Sequence, residues 1–206
     1  MPVFTKGDKA VLYVHVPKAG GSAIEKHFEA AGYAMSFRDG KTGPGTLNHY
    51  RRCSPQHMHA APCEETFRLE RFDAIFTVVR EPLARFRSEY SMRRRRNLDL
   101  DPAVVEQWSR RILRKFEQDP YVLDNHIRPQ SEFVLPGALV HRLEDGLESL
   151  MALLNDQFSL GIPEEVARVR TSEKNSGVPS QDVELTPALE SRLRDFYRTD
   201  FDTFGY

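Results

Sequence analysis

The chain has 206 residues, of which 40% are hydrophobic and 29% are charged, a composition typical of one globular domain with a continuous core. Its 29 basic and 30 acidic residues leave a net charge of −1, which excludes the strong positive charge common in nucleic-acid-binding proteins. No apolar run approaches the ~20 residues that cross a bilayer, and two cysteines cannot make a disulfide framework. We therefore expect a single cytoplasmic domain over residues 1–206, without a transmembrane segment and without a nucleic-acid partner.

The first predicted element is a buried strand over residues 10–16, an apolar run rich in β-branched side chains. Gly20 and Gly21 then allow a tight turn. Ser22 is the predicted N-cap of a helix over residues 21–31. Unpaired N–H groups and the positive end of the helix dipole converge at such a junction, so the sequence predicts a site for phosphate or sulfate.

Lys18 adds a full positive charge to this junction. In an ATP- or GTP-binding P-loop, G-x-x-x-x-G-K-S/T, the lysine follows the glycines, whereas Lys18 precedes Gly20 and Gly21. The order of residues therefore favours an anion-binding loop other than a P-loop. An ordinary tight turn with a surface lysine is the alternative interpretation.

Further strands are predicted over residues 33–37, 72–79 and 139–143. Helices are predicted over residues 21–31 and 63–69, from Pro82, from Pro102, after residue 143 and from Pro187. Strands that alternate with helices predict an α/β fold with a central parallel sheet flanked by helices. Residues 38–62 are irregular and rich in glycine and proline, which indicates a functional loop.

A second informative segment follows the strand at residues 72–79. Arg80 ends this strand, at the edge where α/β sheets bind ligands, and a guanidinium group suits a phosphate. Ser88, two turns into the next helix, could add a hydroxyl group. In the alternative interpretation Arg80 pairs with a carboxylate and Ser88 is solvated.

These two segments resemble the nucleotide-binding motifs of sulfotransferases that use 3′-phosphoadenosine 5′-phosphosulfate (PAPS). The Pro-Lys-x-Gly-Gly-Ser sequence at residues 17–22 is similar to their 5′-phosphosulfate loop, and Arg80 with Ser88 is similar to their 3′-phosphate motif. Residues 124–130, the Glu-Asp pair at 144–145 and residues 196–206 extend the resemblance to the carbohydrate branch. That branch includes the heparan sulfate 2-O-sulfotransferases and the chondroitin and HNK-1 sulfotransferases.

The resemblance implies a three-layer fold like that of P-loop-containing nucleotide hydrolases, and in-line transfer of a sulfuryl group from PAPS without a metal. The implied acceptor is a hydroxyl group of a carbohydrate or glycolipid-type molecule, bound beside residues 38–62. Contacts with the cofactor are implied for the following residues: Lys18, Ala19, Gly20, Gly21, Ser22, Ala23, Arg80, Ser88 and Gln130.

The histidines of His57-Met58-His59 are the candidate bases, because the pKa of histidine lies near working pH. The pair resembles the His-x-His of the 2-O-sulfotransferases, which implies that His59 removes the acceptor's proton and His57 supports it. In an extended backbone both imidazoles would face the same side. Two alternatives are a polar loop without chemistry and a zinc site built from Cys53, His57, His59 and Cys63, whose spacing is not a common zinc pattern.

Two other functions compete with sulfuryl transfer. A P-loop kinase acting on a small molecule is disfavoured by the displaced lysine and by the lack of an evident Walker B carboxylate. A non-catalytic module that binds a nucleotide or another anion would keep the loop and dispense with the base. The four arginines at 93–96 are interpreted as solvated surface, or as a charge that attracts a polyanionic acceptor together with Arg85 and Arg87.

Overall fold

The computed structural model describes residues 1–41, 43–166 and 177–206. Its five strands are β1 Val3–Lys6, β2 Lys9–Val14, β3 Ala34–Ser36, β4 Ala74–Val79 and β5 Leu139–Arg142. The described α-helices are α1 Gly21–Ala30, α2 Ala60–Thr66, α3 Pro82–Arg94, α4 Pro102–Gln118, α5 Leu147–Phe158, α6 Pro187–Phe196 and α7 Arg198–Phe204. The predicted α/β class is confirmed.

The strands form one sheet in the order β3-β1-β2-β4-β5. β2, β4 and β5 are parallel, with Tyr13 opposite Phe76 and Phe76 opposite Leu139. β1 pairs antiparallel with both β2 and β3, so the sheet is mixed: the predicted parallel centre is confirmed, and an antiparallel pair of strands is added at one edge. The reason is a tight hairpin that joins β1 to β2, in which Gly7 has a φ of 59°.

Two hydrophobic clusters pack together the strands and helices that position the site. The larger one packs α1 and α5 on the sheet and includes Phe28, Phe76 and Leu150. The second packs α3, α4 and α6 together and includes Phe86 and Trp108. The helices predicted to begin at Pro82, Pro102 and Pro187 are confirmed, and each packs an apolar face in the second cluster.

The carboxyl ends of β2, β4 and β5 lie at one edge of the sheet because these strands are adjacent and parallel. The segment at residues 15–20 follows β2, Arg80 follows β4, and a short 3-10 turn, Leu143–Asp145, follows β5. Among the described residues, no helix has the length and apolar character needed to cross a membrane. The candidate site is formed at the edge of the sheet where β2, β4 and β5 end.

Candidate active site

The segment that joins β2 to α1, residues 15–20, forms a tight turn, at which the sequence predicts anion binding and which we call the anion-binding turn. Lys18 and Gly20 both take left-handed conformations, with φ of 70° and 84°. Gly20, not Ser22, is the N-cap of α1, so the predicted capping role of Ser22 is wrong. The positive φ of Gly20 starts the helix earlier and leaves the exposed Ser22 in its first turn, where no side chain caps the helix.

Some of the predicted N–H donors of this turn are already used within the chain. The N–H of Ala19 donates to the carbonyl of Val16 at 3.4 Å, and that of Ala23 donates to Gly20 at 2.9 Å. Within the described residues, the N–H groups of Gly20, Gly21 and Ser22 make no backbone hydrogen bond. These three are therefore the N–H groups that an anion would meet.

Gly21 is required by a close approach of the backbone to a histidine ring. A Cβ at position 21 would lie 2.0 Å from Nε2 of His15, far inside van der Waals contact. On the other side of the turn, a Cβ at position 20 would lie 2.9 Å from Cδ1 of Leu143. The turn is thus packed between His15 and the segment after β5, and glycine at position 21 lets the backbone pass over the imidazole.

Arg80 shares the edge of the sheet with Lys18. Nη1 of Arg80 donates to the carbonyl oxygen of Lys18 at 3.4 Å. Burial lowers the pKa of Arg80 from its ordinary value, while the carboxylates of Glu144 and Glu81 act in the opposite direction. The two residues that sequence reasoning placed at opposite ends of one nucleotide therefore lie in one site.

Gln130 is fully buried behind Arg80 and holds its backbone. The N–H of Arg80 donates to Oε1 of Gln130 at 2.9 Å, and Nε2 of Gln130 donates to the carbonyl of Arg80 at 2.7 Å. Both polar atoms of this side chain are thus used within the chain. Gln130 positions Arg80, which differs from the direct cofactor contact expected from the sequence.

Arg85 has a structural role, whereas the sequence suggested that its charge attracts an anion. Its side chain is 2% exposed, and its guanidinium donates to the carbonyls of Pro17, Arg128 and His126 at 3.0, 3.0 and 2.9 Å. It therefore ties the anion-binding turn to residues 126–128. Its neighbour Ser88 is 8% exposed, and among the described contacts its hydroxyl makes no hydrogen bond with Arg80.

Of the two candidate bases, His57 is the one whose ring is held by a carboxylate, that of Asp124, which lies 67 positions away in the chain. Nδ1 of His57 lies 2.7 Å from Oδ2 of Asp124. Ser54 donates its N–H and its hydroxyl to the same carboxylate at 2.6 and 2.7 Å. Burial lowers the pKa of His57 to about 3, against the opposing effect of Asp124. Burial alone would raise the pKa of Asp124, but the bonds from His57 and Ser54 hold it well below its usual value.

Two further histidines surround His57, each with a buried carboxylate of its own. The ring of His15 lies edge-on to His57 at 5.1 Å between centroids, and the ring of His126 does so at 4.8 Å. Nδ1 of His15 is 2.8 Å from Oε1 of Glu25, and Nδ1 of His126 is 2.7 Å from Oε2 of Glu89. Since His15 also packs on Gly21, ring contacts connect His57 to the anion-binding turn.

His59 has different surroundings. It is the N-cap residue of α2, and its ring packs edge-on against Tyr121 and Phe133. Burial, together with the charge of Arg128, lowers its pKa to about 4. A 3-10 turn, Pro55–His57, ends at the first histidine, Met58 and His59 are extended, and the two rings pack on different residues. The two imidazoles therefore have separate neighbours, and no carboxylate contacts His59 among the described residues.

A strained turn presents Asp124 to His57. Leu123, Asp124 and Asn125 have φ of 55°, 60° and 64° in succession, a left-handed conformation that costs roughly 1–2 kcal/mol per residue. Nδ2 of Asn125 donates to the carbonyl of His57 at 2.8 Å, which helps to hold the turn. Such strain persists where the surroundings over-determine the backbone, which is common at functional sites. No sequence pattern signalled this turn or the role of Asp124.

A cavity of about 260 Å³ opens beside Asp124. Most of its lining comes from the segment at residues 38–62, which the sequence assigned to the acceptor side, and Arg51, Arg52 and Arg93 give it positive charge. Cys63, which would belong to the alternative zinc set, is buried and donates its thiol to the carbonyl of His59 at 2.7 Å. The set Cys53, His57, His59 and Cys63 is therefore not assembled around one point.

The chain was compared with families, curated proteins and solved structures. A model of the sulfotransferase family matches residues 1–206. Nothing among the curated proteins or the solved structures matches the chain. The family match includes the anion-binding turn, Arg80 and both candidate bases.

Proposed function

The chain belongs to the sulfotransferase family, and on this premise we propose that it moves the sulfuryl group of PAPS to a hydroxyl group of a carbohydrate or glycolipid-type acceptor. The observation that carries the proposal is the position of Arg80, whose guanidinium lies 3.4 Å from the carbonyl oxygen of Lys18. A donor with one phosphate group at each end of an adenosine needs two cationic groups in a single site. Sulfuryl transfer, like phosphoryl transfer, depends mainly on positioning and charge stabilisation.

Lys18 and the N–H groups of Gly20, Gly21 and Ser22 would hold the 5′ end of the donor. Their common task is to stabilise the negative charge that grows on the leaving phosphate oxygen, and one preorganised donor of this kind contributes about 3–4 kcal/mol to lowering the barrier. Arg80 would bind the 3′-phosphate, and the hydroxyl group of Ser88 would bind the same phosphate. Gln130 would act through Arg80, because both polar atoms of its amide bond to the backbone of Arg80.

His57 is the better candidate for the general base, in place of His59. Asp124 holds Nδ1 of His57, which leaves the lone pair on Nε2 to accept the proton of the acceptor hydroxyl. Asp124 would then stabilise the imidazolium, the role that a buried carboxylate plays in a Ser-His-Asp triad. A base of this kind contributes about 10²–10⁴-fold to the rate.

The acceptor would enter through the cavity beside Asp124. The cavity of about 260 Å³ is lined in part by Asp124, the carboxylate that orients His57. Residues 38–62 would determine which acceptor fits, because they supply most of the lining.

Transfer of labelled sulfate from PAPS to a panel of sugars, glycolipids and oligosaccharides tests the proposal. We expect labelled product with at least one acceptor, and no transfer of phosphate from Mg·ATP to any of them. Phosphate transfer would indicate a kinase. Binding of adenosine 3′,5′-bisphosphate without any sulfate transfer would indicate a non-catalytic nucleotide-binding module.

A further inference from the structure

The histidine cluster around His57 contains a set of metal ligands that sulfuryl transfer does not require. His57, Asp124 and His126 each offer one ligand atom, and these three atoms lie within 4.8 Å of one another. Within residues 1–41, 43–166 and 177–206 no other group of histidine, cysteine and acidic side chains is arranged in this way. We propose that His57, Asp124 and His126 form a Zn²⁺-binding site with three protein ligands and one open coordination position.

The spacing of the ligand atoms suits a small metal ion. Zn²⁺ binds nitrogen and oxygen at about 2.0–2.2 Å, which places the ligands of a tetrahedral centre about 3.4 Å apart. Side-chain adjustments of about an ångström would bring the three atoms to that distance. His57 and Asp124 already share a hydrogen bond of 2.7 Å, which coordination of both residues would replace.

Supporting hydrogen bonds around this cluster resemble those that orient metal ligands. Oε2 of Glu89 lies 2.7 Å from Nδ1 of His126, which leaves Nε2 of that ring as the ligand atom. Glu89 itself is buried and also pairs with Arg93 at 2.6 Å. Histidine ligands of zinc commonly donate their second nitrogen to a carboxylate in this way. Ser54 holds Asp124 in the same manner.

The chemistry of the set favours a transition-metal ion such as Zn²⁺ over Mg²⁺. Two imidazoles and one carboxylate are typical of zinc centres with an open position, whereas Mg²⁺ prefers oxygen ligands and retains its water. Two of the nearby positive charges are paired with carboxylates, Arg93 with Glu89 and Arg128 with Glu132, while Arg51 and Arg52 line the cavity beside Asp124. The two paired arginines therefore oppose a bound cation less than free arginines would.

A bound Zn²⁺ would have a consequence that rests on the proposed function. It would engage the imidazole that the proposed mechanism uses as its base, so saturating zinc would stop sulfuryl transfer. If zinc binds at this cluster and transfer continues unchanged, the assignment of His57 as the base is wrong while the metal site stands.

Direct titration of Zn²⁺ into the purified, chelator-treated full chain, against a chromogenic chelator, tests the site without any need for turnover. We expect one Zn²⁺ per chain and no comparable binding of Mg²⁺. In the variant His126→Gln, whose amide can still donate to Glu89, we expect affinity to fall about tenfold or more. Cys53→Ser is the matched control, and it should bind like the unaltered chain.

Asp124→Asn gives a second, independent ligand variant, and thermal unfolding of each variant shows that it is folded. A fall of about tenfold or more in both ligand variants supports the site. The proposal is overturned if the unaltered chain binds no zinc, or if both ligand variants bind it as tightly as the unaltered chain. Weaker binding in Cys53→Ser would overturn it as well, because the thiol would then be a ligand.

Discussion

The guanidinium of Arg80 lies 3.4 Å from the carbonyl oxygen of Lys18, although 62 positions separate the two residues in the chain. The contact exists because β2 and β4 are adjacent and parallel, so the segments that follow them meet at one edge of the sheet. Two cationic side chains beside a glycine turn suit a ligand with two phosphate groups. The proposed donor site depends on this pairing.

Replacement of Lys18 by alanine should remove the charge that, in the proposed mechanism, stabilises the leaving phosphate. We expect the rate of sulfate transfer to fall about 10²–10³-fold, which corresponds to about 3–4 kcal/mol of barrier. Steady-state kinetics with PAPS measure this loss. Lys26→Ala is the control, since Lys26 is exposed on α1, and it should retain full activity. Equal activity in the Lys18 and Lys26 variants would show that Lys18 is not part of the donor site.

Alanine at His57 and alanine at His59 should have unequal effects, because only His57 is paired with a carboxylate. We expect His57→Ala to lower kcat about 10²–10⁴-fold and His59→Ala to lower it much less. Affinity for adenosine 3′,5′-bisphosphate, measured by thermal shift, should stay close to that of the unaltered chain in both. The reverse order of kcat values would restore His59 as the base, as the family resemblance implies.

Gln130→Ala should destabilise the chain and disturb Arg80. The substitution leaves a buried N–H and a buried carbonyl of Arg80 without partners, each at a cost of about 1–3 kcal/mol. Denaturant unfolding measures the loss in the free energy of unfolding. Gln118→Ala, at the exposed end of α4, should change that free energy by less than about 0.5 kcal/mol. A Gln130 variant as stable as the Gln118 variant would contradict the positioning role.

Gly21→Ala should disrupt the anion-binding turn, because the new Cβ would lie 2.0 Å from Nε2 of His15. Overpacking of this kind costs about 1–3 kcal/mol or more, so we expect a lower melting temperature and weaker nucleotide binding. Gly40→Ala is a suitable control, since its Cβ would meet only the flexible end of Gln56 at 2.9 Å. The double variant His15→Ala, Gly21→Ala should recover part of the stability. A Gly21 variant that behaves like the Gly40 variant would contradict this packing.

Local patterns in the sequence were sufficient to predict the strands beside the site, although β2 ends at Val14 and not at residue 16. The apolar runs at residues 10–16 and 72–79 predicted the two strands, and parallel pairing then placed Lys18 and Arg80 at one edge. The N-cap of α1 was wrong because a glycine with positive φ, Gly20, competes with Ser22 for that position. The antiparallel β1 was missed because four residues carry too little periodicity.

The histidine site could not be predicted from local pattern, because its partners come from distant parts of the chain. Asp124 lies 67 positions from His57 in the chain and contacts it from a left-handed turn that contains no glycine. The sequence predicts that Gln130 contacts the cofactor. In the structure it is buried and bonds to the backbone of Arg80, a role that local sequence does not reveal. Such relationships arise from tertiary packing, which residue spacing alone does not encode.

Calorimetric titration of the full chain with adenosine 3′,5′-bisphosphate, AMP and Mg·ATP tests the pairing of Lys18 with Arg80 most directly. We expect one bisphosphate per chain, bound on the order of 10- to 100-fold more tightly than AMP, from a charge-assisted contact worth about 1.5–3 kcal/mol. In Arg80→Ala this preference should disappear, whereas Arg142→Ala, which removes an exposed ion pair with Asp145, should keep it. Equal affinities for the bisphosphate and AMP in the unaltered chain, or a preference for Mg·ATP, would contradict the shared donor site.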